Sequence, residues 1–214
     1  MAELDDRLAG AADLPDWLRP LVDEVERAQE RGRPAPPEGA RQSAVLLLLG
    51  PGPDVLLIER AETLRHHAGQ PAFPGGSVDP DDSGPVGTAL REAAEEVGVD
   101  PAGVDVLGTL PALYIAASGF AVTPVLGWWR EPSPVRVVDA AEVARVVRVP
   151  LAELADPANR IRVRHPSGRI GPGFDVAEML VWGFTAGLID RLLTLSGLAR
   201  PWVPGPPRQP WGTR

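Results

Sequence analysis

The chain of 214 residues contains no cysteine and no lysine; all 21 of its basic residues are arginine. Without cysteine there is no disulfide, no thiolate zinc site and no cysteine nucleophile. Without lysine there is no Schiff-base chemistry and no P-loop lysine. Phosphate must be handled by arginine, backbone N–H groups or metal. No apolar run approaches the roughly 18 residues that suggest a membrane span. The acidic start, Met1-Ala2-Glu3-Leu4-Asp5-Asp6, lacks the apolar segment of a secretory signal. The formal net charge is −8 with no basic run, which argues against non-specific nucleic-acid binding, since that needs clustered cations. These absences describe a cytoplasmic protein that engages neither nucleic acid nor membrane.

What is present is enough apolar residue, 44%, for one domain with a full core. Leu14, Trp17, Leu18, Leu21, Val22 and Val25 recur at helical spacing. Three prolines and two glycines over 32–39 read as a linker. Residues 1–40 are therefore taken as a helical extension and linker, 41–198 as the main domain, and 199–214 as a tail. Ala44–Leu49 and Val55–Ile58 read as a hairpin across Gly50-Pro51-Gly52-Pro53-Asp54. Further strands are expected at 104–107, 112–116, 120–129, 135–138, 146–149 and 160–164. Pro124 suggests that 120–129 is an edge or bulged strand. A short helix starts at Pro150, and 182–195 reads as an amphipathic helix. The tail holds five prolines and two tryptophans. Trp202 and Trp211 need a docking surface, on the same chain or on the second subunit of a homodimer.

The most informative stretch is 60–99. Pro85 suits the first position of a helix, with Ser83 or Gly84 as cap, and Gly98 suits the place just past its end. Val86, Leu90, Ala93, Ala94 and Val97 form an apolar face. Glu92, Glu95 and Glu96 stand at i, i+3 and i+4, on one face. Such crowded like charges repel unless something cationic stands between them, and oxygen-only ligands suit Mg²⁺ or Mn²⁺. Before the helix, Phe73-Pro74-Gly75-Gly76 places backbone where a side chain would obstruct. His66 and His67 are adjacent, which disfavours a shared metal site.

Gly76, Asp82 and Arg91-Glu92-Ala93-Ala94-Glu95-Glu96-Val97-Gly98-Val99 together resemble the Nudix box, G-x5-E-x7-R-E-U-x-E-E-x-G-U, U being aliphatic. Asp82 replaces the first glutamate, the next gap is eight, and Ala93 is small at the aliphatic place. Just upstream, Leu56, Leu57, Arg60, Ala61, Arg65, Gly69, Phe73, Pro74, Gly75 and Gly76 resemble the additional motif of coenzyme A pyrophosphatases, with Ile58 where Thr is expected. Val181-Trp182-Gly183 also resembles the end of those chains.

The resemblance implies a Nudix-type α/β/α sandwich with a mixed central sheet. It implies metal-dependent hydrolysis of the diphosphate of coenzyme A, a small nucleoside diphosphate substrate. Glu92 and Glu96 would be ligands, Glu95 a third ligand or the base, the Gly76 carbonyl a further ligand, and Arg91 an orienting residue paired to a glutamate or to Asp82. Arg60, Arg65, Gly69 and Phe73 would face the substrate, and Glu142 or Glu178 could supply a late-loop carboxylate. Other readings are hydrolysis of ADP-ribose, NADH or another dinucleotide, a non-catalytic nucleotide-binding Nudix domain, and an interaction role for the tail.

Overall fold

The computed structural model describes residues 14–31, 35–64 and 66–210. The helical reading before residue 14, Arg65 and Trp211 lie outside the described residues. In chain order the elements are α1 (Arg19–Glu30), β1 (Arg41–Gly50), β2 (Asp54–Arg60), β3 (Pro71–Ala72), β4 (Gly75–Ser77) and α2 (Pro85–Val97). Then come β5 (Val104–Thr109), β6 (Leu113–Ile115), β7 (Phe120–Trp129), β8 (Val143–Pro150) and α3 (Leu151–Ala155). The chain continues with β9 (Arg160–Arg164), β10 (Ile170–Val176), β11 (Met179–Val181) and α4 (Gly183–Leu195). The fold is mixed α/β. An eight-stranded sheet runs β3-β2-β1-β7-β5, with β4 on β1, β6 on β7 and β8 on β2. It is mixed because β1 and β7 are parallel while the other pairs are antiparallel. A second, antiparallel sheet runs β11-β10-β9.

The apolar run in β1 has a direct cause. Successive strand side chains point to opposite faces, and here both faces are covered. Ala44, Leu46 and Leu48 pack with Ala89, Leu90, Ala93 and Val97 of α2. Leu47 and Leu49 pack on the other side with Leu21 and Val25 of α1 and Leu188 and Leu192 of α4. Each of these leucines is buried, a contribution of about 1.5–3 kcal/mol apiece.

Several local expectations change. Pro124 lies inside a strand paired on both sides, neither at an edge nor bulged itself. It falls where β5 has ended at Thr109 and β6 has not begun at Leu113, so its missing N–H leaves no ladder partner unmet; Leu110 N–H donates to its carbonyl (2.9 Å). The bulge is in the partner strand, between Val106 and Gly108. Residues 135–138 form no strand. They run over the end of α2, where Arg136 N–H donates to Val97 O and Val138 N–H to Glu96 O. Strands β3, β4, β10 and β11 were not anticipated. In β10 a Cβ on Gly173 would meet the Val163 side chain at 2.5 Å, so a residue that reads as a breaker is what leaves room for that side chain. The tail docks on its own chain: Arg208 bridges to Val163 of β9 and pairs with Asp175 (2.7 Å), and Trp202 lies 5.2 Å from the Arg160 guanidinium.

Candidate active site

The helix α2 starts at Pro85 after Gly84, whose φ of 84° directs the chain into it, and ends at left-handed Gly98. The N–H groups of Gly98 and Val99 return to the carbonyls of Ala94 and Ala93. Its three glutamates do not share one exposed face. Glu95 is exposed, Glu92 is half-buried, and Glu96 is 2% exposed. The reason is β4. Gly75 and Gly76 bring no side chains to its contact with α2, so Glu96 comes down against bare backbone. A Cβ on Gly76 would sit 2.3 Å from Glu92 Oε1, and one on Gly75 would sit 2.2 Å from the Ala44 carbonyl.

Gly75 N–H donates to Glu96 Oε2 at 3.0 Å. Glu96 Oε1 is buried without a hydrogen-bond partner. Burial pushes the Glu96 carboxyl up to about 8, opposed by the Gly75 N–H and reinforced by the nearby charge of Glu92. Burial also raises Glu92 above the ordinary range, against the pull of Arg91.

The cation that stands between glutamates here is the Arg91 guanidinium. Its Nη1 lies 3.0 Å from Glu92 Oε1 and 2.8 Å from Glu95 Oε2. Its Nε and Nη2 donate to Asp82 Oδ1 and Oδ2 at 2.9 and 3.0 Å, a bidentate pair. Nη2 also reaches the Ser77 carbonyl (3.2 Å). Asp82 accepts further from Thr88 Oγ1 and the Asp79 N–H, both at 2.8 Å. The Arg91 bonds, helped by those two donors, hold the Asp82 carboxyl well below its usual range despite burial. Asp82 thus ties the loop before α2 to Arg91, and Arg91 orients two glutamates.

The like-charge crowding expected to need a metal is therefore partly relieved by Arg91. Among the described residues no three carboxylate or imidazole side chains already converge as a ligand cluster. The fit for a cation rests on another feature: an unpartnered buried carboxylate oxygen on Glu96, beside the half-buried Glu92, in an all-oxygen donor set. That set suits a hard divalent ion. The Gly76 carbonyl does not stand where expected. Bonds from Leu46 N–H to Pro74 O and from Val78 N–H to Gln42 O flank the Ala44–Gly76 pair. By the alternation of an antiparallel ladder, Gly76 then directs its own N–H and C=O at β1. It is Gly75 whose N–H faces the glutamates.

The other candidates separate. Arg60 Nη2 stands 3.9 Å from Glu142 Oε2, and Glu142 is close enough for its charge to raise both Glu92 and Glu96. Glu178 is elsewhere, on the β10–β11 turn, 3.7 Å from Arg145 Nη1. Gly69, with φ of 64°, returns its N–H to the Arg60 carbonyl at 3.0 Å. Phe73 is 2% exposed in the core, so its side chain fastens the loop from beneath and offers no surface to a ligand. The His67 ring bonds Gln70 (2.9 Å) and takes no part in the carboxylate cluster. The Gly75 N–H bond to Glu96 and the Thr88 bond to Asp82 are contributions that the sequence does not show. The glycine doublet was visible, but only strand register shows which of the two faces Glu96.

Residues 39–167 match the NUDIX domain. The chain is 45% identical over 161 residues to the uncharacterized Nudix hydrolase NudL of Cronobacter sakazakii, covering 71% of this chain and 81% of that one. It is 42% identical over 181 residues to that of Klebsiella pneumoniae, covering 79% and 91%. Among solved structures, the Nudix hydrolase RenU from M. smegmatis superposes with a TM-score of 0.52 at 23% identity, over 74% of this chain and 86% of that one, a likeness of fold.

Proposed function

The chain belongs to the Nudix family of hydrolases, and on that premise we propose that it hydrolyses the diphosphate bond of coenzyme A or a derivative. Water adds to one phosphorus and the bridging P–O bond breaks, giving 3′,5′-ADP and 4′-phosphopantetheine. The observation that carries the chemistry is the buried, half-satisfied Glu96 carboxylate beside Glu92. Glu92 and Glu96, with Glu95 as a third, would hold Mg²⁺ or Mn²⁺. Bound there, the cation supplies charge neutralisation for the diphosphate and acidifies the attacking water.

The chain's own residues do the rest. Arg91, locked by Asp82, keeps Glu92 and Glu95 in fixed rotamers, which preserves the geometry a positioned water needs. Glu95, the exposed member of the three and held by Arg91, would serve either as that third ligand or as the base that takes the water's proton. Among the described residues the Arg60 side chain makes a long ion pair with Glu142, and its charge also acts on Glu96; a substrate phosphate can replace the long contact with a shorter charge-assisted bond. Arg65 is its proposed companion on the same loop, residues 61–70.

The coenzyme A assignment rests on the upstream motif. Its one departure, Ile58, is fully buried against α2. A buried β2 side chain cannot contact substrate, so this replacement concerns packing and leaves the substrate reading untouched.

The test is product analysis by mass spectrometry with coenzyme A, ADP-ribose and NADH in Mg²⁺ or Mn²⁺, with Glu96→Gln as control. Release of 3′,5′-ADP and 4′-phosphopantetheine, lost in the variant, is the expected result. Cleavage of ADP-ribose or NADH alone would overturn the substrate, and cleavage of none would overturn hydrolysis.

A further inference from the structure

The loop that leaves β2 at Arg60 returns through β3, a strand of only two residues. Its neck is closed by the Arg60 N–H bond to the Gln70 carbonyl (3.1 Å) and the Gly69 N–H bond to the Arg60 carbonyl (3.0 Å). Beyond the neck, Pro71 stands opposite Glu59 and Ala72 opposite Ile58. Ladder bonds alternate along an antiparallel pair. Since Arg60 and Gln70 are a bonded pair, Pro71 directs its carbonyl away from β2, and being proline it has no N–H to offer. This carbonyl belongs to a buried residue of a strand that pairs with β2 alone. The hydroxyl of Thr185, in the first turn of α4, donates to it at 3.1 Å. Thr185 is itself 6% exposed and lies 114 residues further along the chain.

We propose that Thr185 is a positioning residue for substrate binding. Its hydroxyl seats the return arm of the 61–70 loop, and so sets where Arg60 and the loop neck stand relative to the glutamates. The inference rests on the reading that this loop holds the substrate. Phe73 secures the arm by burial, and Thr185 secures it by a directed bond to Pro71. The backbone bonds at the neck set the register of the arm, and the Thr185 hydroxyl holds the one carbonyl of that arm which the β2 ladder does not use.

Thr185→Val removes the hydroxyl with little change in volume and leaves a buried carbonyl unmet. Thr185→Ser restores the hydroxyl. In Thr185→Val the seated loop becomes a fraction of the population, and KM rises by the inverse of that fraction, roughly five- to tenfold, with kcat within about twofold. Hydrogen exchange at the Arg60 and Gly69 amides accelerates by a similar factor while α2 amides keep their protection. Thr185→Ser returns both readouts to wild-type values. Unchanged KM and exchange in Thr185→Val, a fall in kcat at constant KM, or a Thr185→Ser that behaves like Thr185→Val would each overturn the proposal. Thr185→Ala gives the same comparison if the valine variant does not fold. Kinetics are read on whichever diphosphate the wild type cleaves. Failure on coenzyme A alone would count against the substrate reading, while the exchange measurement still decides the role of Thr185.

Discussion

Replacing Glu96 by Gln is expected to abolish hydrolysis and yet stabilise the cation-free protein at alkaline pH. Burial moves the Glu96 carboxyl from near 4.5 to about 8. Because the folded value lies above the unfolded one, the unfolded chain releases this proton first as pH rises. Stability is therefore lost between about pH 4.5 and pH 8, and the loss is nearly complete above that window. At about 1.4 kcal/mol per pH unit, the ionisation of Glu96 costs the fold about 4 kcal/mol at pH 8 and under about 1 kcal/mol at pH 5. Gln retains the Gly75 bond through its amide oxygen but leaves its NH₂ group at the unpartnered Oε1 position, a cost of about 1–3 kcal/mol. The variant should then be more stable than wild type by about 1–3 kcal/mol at pH 8, and equal or less stable at pH 5. Urea unfolding in EDTA at the two pH values measures this directly. Added Mg²⁺ should stabilise the wild type at pH 8 and have little effect on the variant. A stability difference of the same size and sign at both pH values would refute the claim that Glu96 is held in the fold against its own charge.

Two other perturbations act on separate parts of the molecule. Gly76→Ala places a Cβ where the Glu92 carboxylate now lies; that flexible end can move, so unfolding temperature should change little while kcat falls roughly 100-fold, and a variant with full activity would show that the carboxylate position is unimportant. Glu24 of α1 is buried, and although burial pushes its carboxyl up, bonds from Arg31 and Arg191 outweigh that and hold it below the ordinary range. Glu24→Ala should cost about 2 kcal/mol in urea unfolding without altering KM. The wild-type advantage should be present at neutral pH and fade as pH falls through the carboxylate range; an advantage independent of pH would assign it to packing.

Local information was sufficient for α2. Pro85, the apolar spacing and Gly98 define its ends and buried stripe, because helix caps and 3.6-residue periodicity depend on neighbours within a few positions. The hairpin of β1 and β2 was legible for the same reason. Strands β10 and β11 were not: Gly171-Pro172-Gly173 has poor strand propensity by itself. Yet a glycine is needed at 173 because the Val163 side chain of another strand occupies the place of a Cβ, a fact that local sequence does not contain. Pro124 was misplaced for a like reason, since whether a missing N–H matters depends on what the neighbouring strand does opposite it.

The sequence by itself determined that an all-oxygen, arginine-assisted acidic site would sit on one helix behind a glycine turn, because residue identity and helical spacing carry that. It could rank neither the glutamates nor the glycines. Helical spacing places Glu92, Glu95 and Glu96 on one side, and only the approach of β4 buries Glu96 while leaving Glu95 in solvent. Tertiary packing also decided that Gly75 is the donor, that Arg91 occupies the space between two carboxylates, that Glu142 and not Glu178 reaches the site, and that Thr185 meets Pro71. Each of these depends on which distant backbone lies alongside, and desolvation and hydrogen bonding act through space between segments that the chain order keeps apart.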